Sequence, residues 1–310
     1  MSPDADPPVL VAVVGPTASG KSELALRICE RLGGEVVGAD AFQLYRGMDI
    51  GTAKLTVAER RGIPHHQLDV LDVTAEASVA AYQLAARADL NAISARGRHP
   101  VLVGGSGLYL RAALDRLDIP PTDPEVRARW ERAAAAGGPE AVYAVLADRD
   151  PVAAARIEPR NVRRVVRALE VIELTGRPFS ASLPVRELLR PTVVVGLRPP
   201  RAALDARITA RVERMWRVGL LGEVRALEAL GLRRGRTASR ALGYAQALAE
   251  LDGAMTGAEA RSATVAATSR FARRQESWFR PDPRITWFDP TADGGLAAAL
   301  DHVGRAVARP

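Results

Sequence analysis

The sequence predicts an α/β protein: a parallel sheet built around a glycine-rich phosphate loop and interrupted by a helical insertion. Three observations carry this reading. Residues 15–22 read GPTASGKS, two glycines bracketing four residues and followed by Lys and a hydroxyl residue. Residues 9–14 (VLVAVV) form a short, β-branched apolar run, as a buried parallel strand requires. Behind the loop, Leu24, Ile28 and Leu32 recur at i, i+4 and i+8, and Gly33-Gly34 stops that helix. A chance glycine-rich turn would lack this strand–loop–helix context.

The chemistry follows from the geometry. Gly15 and Gly20 let the backbone curl so that successive N–H groups point inward, and the helix N-terminus adds partial positive charge. Pro16, Thr17, Ala18 and Ser19 fill the turn; Lys21 supplies a point charge for phosphate oxygens and Ser22 a hydroxyl for Mg²⁺. The expected core is P-loop NTPase-like and binds a diphosphate or triphosphate; the loop does not specify ATP.

At 310 residues the chain is long enough for one large or two modest domains. No run approaches the roughly 18 apolar residues that span a bilayer, so no membrane partner is expected. Residues 1–8 (MSPDADPP) are acidic and Pro-rich, unlike a signal peptide, and read as a flexible lead-in. Cys29 is the sole cysteine, which excludes an intrachain disulfide and points to a reducing cytoplasm; in the first helix it reads as a packing residue. The net charge of +7 leans toward a polyanionic partner. Of 43 basic residues only Lys21 and Lys54 are lysines, and both lie near glycines. Lys54 therefore fits a phosphate contact or a solvated surface position.

Along the chain, residues 35–39 (EVVGA) read as a second strand ending at Asp40. An acid at the C-terminal end of a strand beside a phosphate loop lies in the ligand crevice of an open α/β sheet. Asp40 thus fits a general base, a metal ligand or a simple turn cap. Residues 40–54 read as a structured loop, and His65-His66 as structural, since no zinc spacing exists. Residues 78–95 are helical, and residues 101–103 form a third strand that ends in glycines, not the acid an ATPase would place there for Mg²⁺. From about residue 117 the character changes: the Pro-rich stretch 119–124 leads into helices, with no strand until Thr192. Residues 118–190 are therefore read as a helical insertion, between core segments 9–117 and 191–310. Arg156, Arg160, Arg163, Arg164 and Arg167 cluster within it, as a solvated face or a nucleic-acid contact. Further on, Leu204, Ile208, Val212 and Met215 stripe a long helix, and residues 271–280 (FARRQESWFR) mix bases with aromatics. Residues 285–288 form the last strand.

Taken together these motifs resemble the bacterial tRNA dimethylallyltransferase (tRNA isopentenyltransferase) family, which prenylates the adenine just 3′ of the anticodon. The likeness is carried by GPTASGKS (15–22), DAFQLYRGMDIGTAK (40–54), IPHHQLDV (63–70) and VLVGGSGLYLRA (101–112). It continues through DPEVRARW (123–130), NVRRVVRALEV (161–171), residues 206–227, ALGY (241–244) and FARRQESWF (271–279), in family order over nearly the whole chain.

The resemblance implies that the loop residues Gly15, Pro16, Thr17, Ala18, Ser19, Gly20, Lys21 and Ser22 hold dimethylallyl diphosphate, with Ser22 toward Mg²⁺. It implies Asp40 as the base for the adenine amine, Thr17 at the leaving oxygen, and Lys21 and Arg211 on the diphosphate. Asp40, Ala41, Phe42, Gln43, Ser106, Arg127, Arg163, Arg164, Arg167, Arg240, Arg273 and Arg274 would meet the tRNA anticodon stem-loop, bound by a monomer. Ser106 and Ala41 stand where the family has Thr and Ser, Leu55 where Pro is frequent; Ser269 replaces a common Arg, which bears on RNA affinity. The competing readings are an adenylate (free nucleotide) isopentenyltransferase, a P-loop nucleotide kinase and a non-catalytic RNA-binding module.

Overall fold

The structure, a computed structural model, describes residues 7–182 and 186–308. The first six residues of the expected lead-in therefore lie outside the described residues. In chain order the elements are β1 (Leu10–Val14), α1 (Lys21–Leu32), β2 (Glu35–Ala39), β3 (His65–His66), α2 (Val79–Ala95), β4 (Pro100–Gly104) and α3 (Gly107–Leu114). They continue with α4 (Pro124–Arg149), α5 (Pro151–Ala154), α6 (Val162–Thr175), β5 (Thr192–Leu197), α7 (Arg201–Arg217) and α8 (Leu220–Ala229). Last come α9 (Tyr244–Leu251), α10 (Gly257–Phe279), β6 (Ile285–Phe288) and α11 (Gly295–Val307). The chain divides into two compact units, Met1–Leu114 with Leu188–Pro310, and Asp115–Glu187. The Pro-rich stretch 119–124 lies inside the second unit, where Asp123 caps α4 by accepting from the N–H groups of Glu125 and Val126.

The first unit is a six-stranded parallel sheet in the order β3-β2-β4-β1-β5-β6. Alternation in β1 sends Leu10, Ala12 and Val14 to a core with α2, α3 and Phe279, and Val11 and Val13 to a core with α1 and α11. Both faces are covered, which is why the strands read as unbroken apolar runs. Crevices form outside the carboxyl ends of such strands where the connection direction reverses, here between β1 and β4. Where the second unit departs, the Leu189 N–H donates to the Leu114 carbonyl at 2.9 Å, so the first unit closes on itself.

His65 and His66 form β3 beside β2, and His66 Nε2 lies 2.8 Å from Glu35 Oε2, a structural role. Cys29 is buried and its thiol is pushed up to about 12 by burial, consistent with a packing residue. Lys54 is buried: Nζ donates to the Tyr45 carbonyl at 2.9 Å, Asp49 at 2.6 Å and Asp69 at 2.5 Å. Its charge is consumed by the 45–69 loop, which corrects the expectation of a phosphate contact or a solvated lysine.

The second unit has its own core, including Ala134, Leu146, Val165 and Leu169 from α4 and α6. Its organising polar group is Glu170, fully buried on α6. Its carboxylate accepts from Thr122 Oγ1 (2.6 Å), the Asp123 N–H (2.9 Å), Arg127 Nη2 (2.9 Å) and Arg167 Nη1 (2.8 Å). Burial pushes the carboxyl up, but the bonds from Thr122, Arg167, Arg127 and Asp123 outweigh it and hold the group at about 2. Glu170→Ala should therefore destabilise this unit by about 2–4 kcal/mol, because two guanidinium groups lose their partner. With its pKa below the unfolded value, Glu170 contributes stability above about pH 4.5 that is lost as pH falls toward 2. Thermal melts of both proteins between pH 7 and pH 2 check this: the difference should shrink with acidification. A difference independent of pH would refute it.

Candidate active site

The loop after β1 runs against the end of β5. Gly15 sits at φ +141°, and a Cβ there would lie 2.4 Å from the Leu197 carbonyl at the end of β5. Gly20, at φ +95°, opens α1. Ala18 adopts φ 63°, which costs an L-residue about 1 kcal/mol or more. That conformation is held because Ala18 packs against Leu204 and Ile208 of α7 and Ala272 of α10. The phosphate loop is thus shaped by two helices distant in sequence as well as by its glycines.

Three charged groups converge on it. Lys21 Nζ donates to the Pro16 carbonyl at 2.5 Å, and Arg211 Nη1 donates to Thr17 Oγ1 at 3.3 Å. Neither cation has a carboxylate partner within ion-pair distance among the described residues. Burial and the neighbouring Arg211 lower the Lys21 pKa, Asp40 opposes them, and the result is about 7. Arg211 is lowered in the same sense by burial and then by Arg214. Two desolvated cations at a helix N-terminus form a site that an anion would relieve.

Asp40 ends β2 beside this loop. Its Oδ1 accepts the Phe42 N–H at 2.9 Å. Burial raises its pKa above the usual 3.8, against the lowering effects of the Phe42 N–H, the Lys21 charge and the Gln43 N–H. The turn cap read from sequence is real: the carboxylate accepts backbone N–H groups of the residues that follow it. Tyr82 and Tyr109 pack with tilted rings 4.6 Å apart, and burial above all raises both pKa values, the neighbouring tyrosines and then Asp40 adding to it.

The remaining predicted residues distribute as follows. Ala41, Phe42 and Gln43 form the turn after Asp40, partly buried, with Gln43 Nε2 donating to the Thr52 carbonyl at 3.1 Å. Ser106 precedes α3 and its carbonyl accepts from Leu110. Arg240, Arg273 and Arg274 are exposed, Arg274 lying over the Phe271 ring. In the second unit, Arg163 and Arg164 are exposed on α6, whereas Arg127 and Arg167 are engaged with Glu170, and Arg167 also with the Pro120 and Pro121 carbonyls. Ser269 is buried and donates to Asp205 Oδ1 at 2.9 Å.

Sequence reading missed two residues that shape the site. Glu223 accepts the N–H groups of Asp49, Ile50 and Gly51 and the Tyr244 hydroxyl, fixing the 45–54 loop. Gln275 accepts the Thr17 N–H at 2.8 Å and donates to the Gly105 carbonyl at 2.9 Å. Its signal was a polar residue on the buried stripe of α10, between Ala272 and Phe279.

A resident metal is tested by the donor set. No group of three or more His, Cys, Asp or Glu among the described residues could hold one. Ser22, exposed in the first turn of α1, supplies one neutral oxygen. These donors fit Mg²⁺ held mainly by phosphate oxygens and water, the manner in which that ion prefers to bind. No described helix is long and apolar enough to cross a membrane.

Comparison with known proteins agrees with this architecture. The profile of the IPP transferase family matches residues 43–282. The tRNA dimethylallyltransferase of Kineococcus radiotolerans is 65% identical over 291 residues, covering 92% of each chain. That of Streptomyces avermitilis is 61% identical over 285 residues, covering 92% of this chain and 91% of its own. The crystal structure of a Bacillus halodurans tRNA isopentenylpyrophosphate transferase superposes with a TM-score of 0.70 at 38% identity, covering 96% of each chain. A eukaryotic dimethylallyltransferase captured acting on tRNA gives a TM-score of 0.82 at 25% identity, over 96% of this chain and 77% of its own. Sequence identity sustained over nearly the whole length, on a shared fold, places this chain in the tRNA dimethylallyltransferase (IPP transferase) family.

Proposed function

We propose that this chain transfers the dimethylallyl group of dimethylallyl diphosphate to the exocyclic amine of the tRNA adenine 3′-adjacent to the anticodon. The observation that carries the reading is the pair of desolvated cations, Lys21 and Arg211, lacking carboxylate partners beside a half-buried acid, Asp40. The diphosphate lies on the loop amides, Lys21 and Arg211, where charge building on the departing oxygens is stabilised without reorganisation. Thr17 Oγ1, held by Arg211, meets the leaving oxygen. The allylic carbon–oxygen bond breaks, the adenine nitrogen forms a bond to that carbon, and its proton passes to the Asp40 carboxylate. Mg²⁺, held by Ser22 and the diphosphate, would supply further neutralisation of the leaving group. A base stacked in an RNA loop must be extruded to reach this crevice. We read the protein as a monomer, and a tRNA substrate fits a cytoplasmic enzyme.

Incubation of the protein with dimethylallyl diphosphate, Mg²⁺ and an anticodon stem-loop, followed by nucleoside mass spectrometry, tests the reading. A gain of one C5H8 unit on the expected adenine is the predicted result. Absence of modified nucleoside, or efficient ATP hydrolysis instead, would overturn it.

Two further outcomes follow. Lys21→Ala and Arg211→Ala should each weaken inorganic pyrophosphate binding by about 10-fold or more, each removing a charge-assisted contact, with stem-loop affinity nearly intact. Titration calorimetry with each ligand checks this; loss of RNA affinity alone would reverse the assignment. Stem-loop affinity should also fall steeply with salt, and Arg163→Glu with Arg164→Glu should flatten that slope by about one to two phosphate equivalents. An unchanged slope would make these arginines a solvated face only.

A further inference from the structure

The phosphate loop is fastened from outside by one side-chain amide. The Thr17 N–H does not open toward a ligand; it donates to Gln275 Oε1, 258 residues away in sequence. The other end of that amide, Nε2, donates to the Gly105 carbonyl in the loop after β4. Gln275 is 6% exposed, so both bonds are sheltered, and an amide in that position is tolerated only because both ends are satisfied. The fit is tight: a Cβ on Gly105 would come 2.3 Å from Gln275 Nε2. A side chain there would have to displace the Gln275 amide. The hydroxyl of Thr17 is held separately, accepting from Arg211 Nη1. Thr17 is fixed at both ends by helices that follow it by some two hundred residues or more.

We infer that Gln275 is a positioning residue for prenyl transfer: by pinning the Thr17 amide to the loop after β4, it aims the Thr17 hydroxyl at the leaving oxygen of the donor. The inference rests on the proposed function, since it needs a leaving oxygen at Thr17. Gln275 touches no reacting atom and carries no charge, so its loss leaves the cations Lys21 and Arg211 in place for ground-state binding. Its contribution is geometric, and a displacement of about 1 Å at a reacting group can cost about 10²-fold in rate.

A double-mutant cycle tests this. Gln275→Met keeps volume and helix propensity while removing both hydrogen bonds; Thr17→Val removes only the hydroxyl. The readouts are the single-turnover rate of transfer to the stem-loop and the affinity for inorganic pyrophosphate, on full-length protein. Gln275→Met should slow transfer by about 10- to 100-fold, with pyrophosphate affinity changed less than about 3-fold. In the Thr17→Val background the same change should slow transfer by less than about 3-fold, because the group it aims is gone. Equal losses in both backgrounds, or pyrophosphate affinity falling in step with rate, would overturn the inference. Should Gln275→Met fail to fold by circular dichroism, Gly105→Ala, which drives a methyl into the Gln275 amide, must show the same coupling to Thr17→Val; additivity there overturns it too. A parent protein that transfers nothing would instead defeat the proposed function itself, and this inference with it.

Discussion

Asp40→Asn is expected to lower turnover by about 10²- to 10⁴-fold, the usual contribution of a positioned general base. The amide preserves size and can still accept the Phe42 N–H that Asp40 Oδ1 now holds, so the turn after β2 should survive. Affinity for inorganic pyrophosphate and for the stem-loop should change little. The pH profile sharpens the test. Burial raises the Asp40 pKa, so the basic form is lost as pH falls through a value above 3.8. The parent rate should therefore fall on its acid side at a pH above 3.8, and that limb should vanish in the Asn variant. Turnover comparable to the parent, or an unchanged acid limb, would remove Asp40 from this role.

Excision of residues 115–187 is expected to abolish transfer to the stem-loop, by about 10³-fold or more, while pyrophosphate binding persists. The structure makes the excision feasible. Leu114 and Leu189 are joined by a 2.9 Å backbone hydrogen bond, so a short linker can close the cut. The two units also have separate cores, with Ala134, Leu146, Val165 and Leu169 on one side of the division and the β1 residues on the other. The energetic argument is that contacts to RNA phosphates far from the amine orient it, and that orientation is worth several orders of magnitude. Free AMP should be a negligible acceptor for both proteins. An excised protein that still modifies the stem-loop, or a parent that uses AMP as readily, would favour an enzyme of free nucleotides.

The excision and the charge reversals treat the arginines of the second unit differently because the structure separates them. Arg163 and Arg164 face solvent, whereas Arg127 and Arg167 hold Glu170 and the 120–123 stretch. In the sequence all four are basic residues near helical segments. A charge reversal at Arg167 would be read as RNA binding although it breaks the fold of the unit, so it makes a poor probe.

Local chemistry made the core legible in advance. The run of residues 9–14, the glycines of GPTASGKS, the stripe of Leu204, Ile208, Val212 and Met215, and the acid ending β2 each obey short-range rules: periodicity, turn geometry and strand-end placement. The Thr17–Arg211 contact was legible only through resemblance to a family, since 194 residues separate the pair. Tertiary structure alone decided how charges are spent. Lys54 looked like a second phosphate lysine and is instead buried between Asp49 and Asp69. Glu170 and Gln275 interrupt helical faces that pattern alone assigns to the core, and each is paid for by hydrogen bonds from distant segments. The physical reason is range. Hydrophobic pattern is repeated along an element and survives in one dimension, whereas a buried polar group depends on partners that only folding brings within 3 Å.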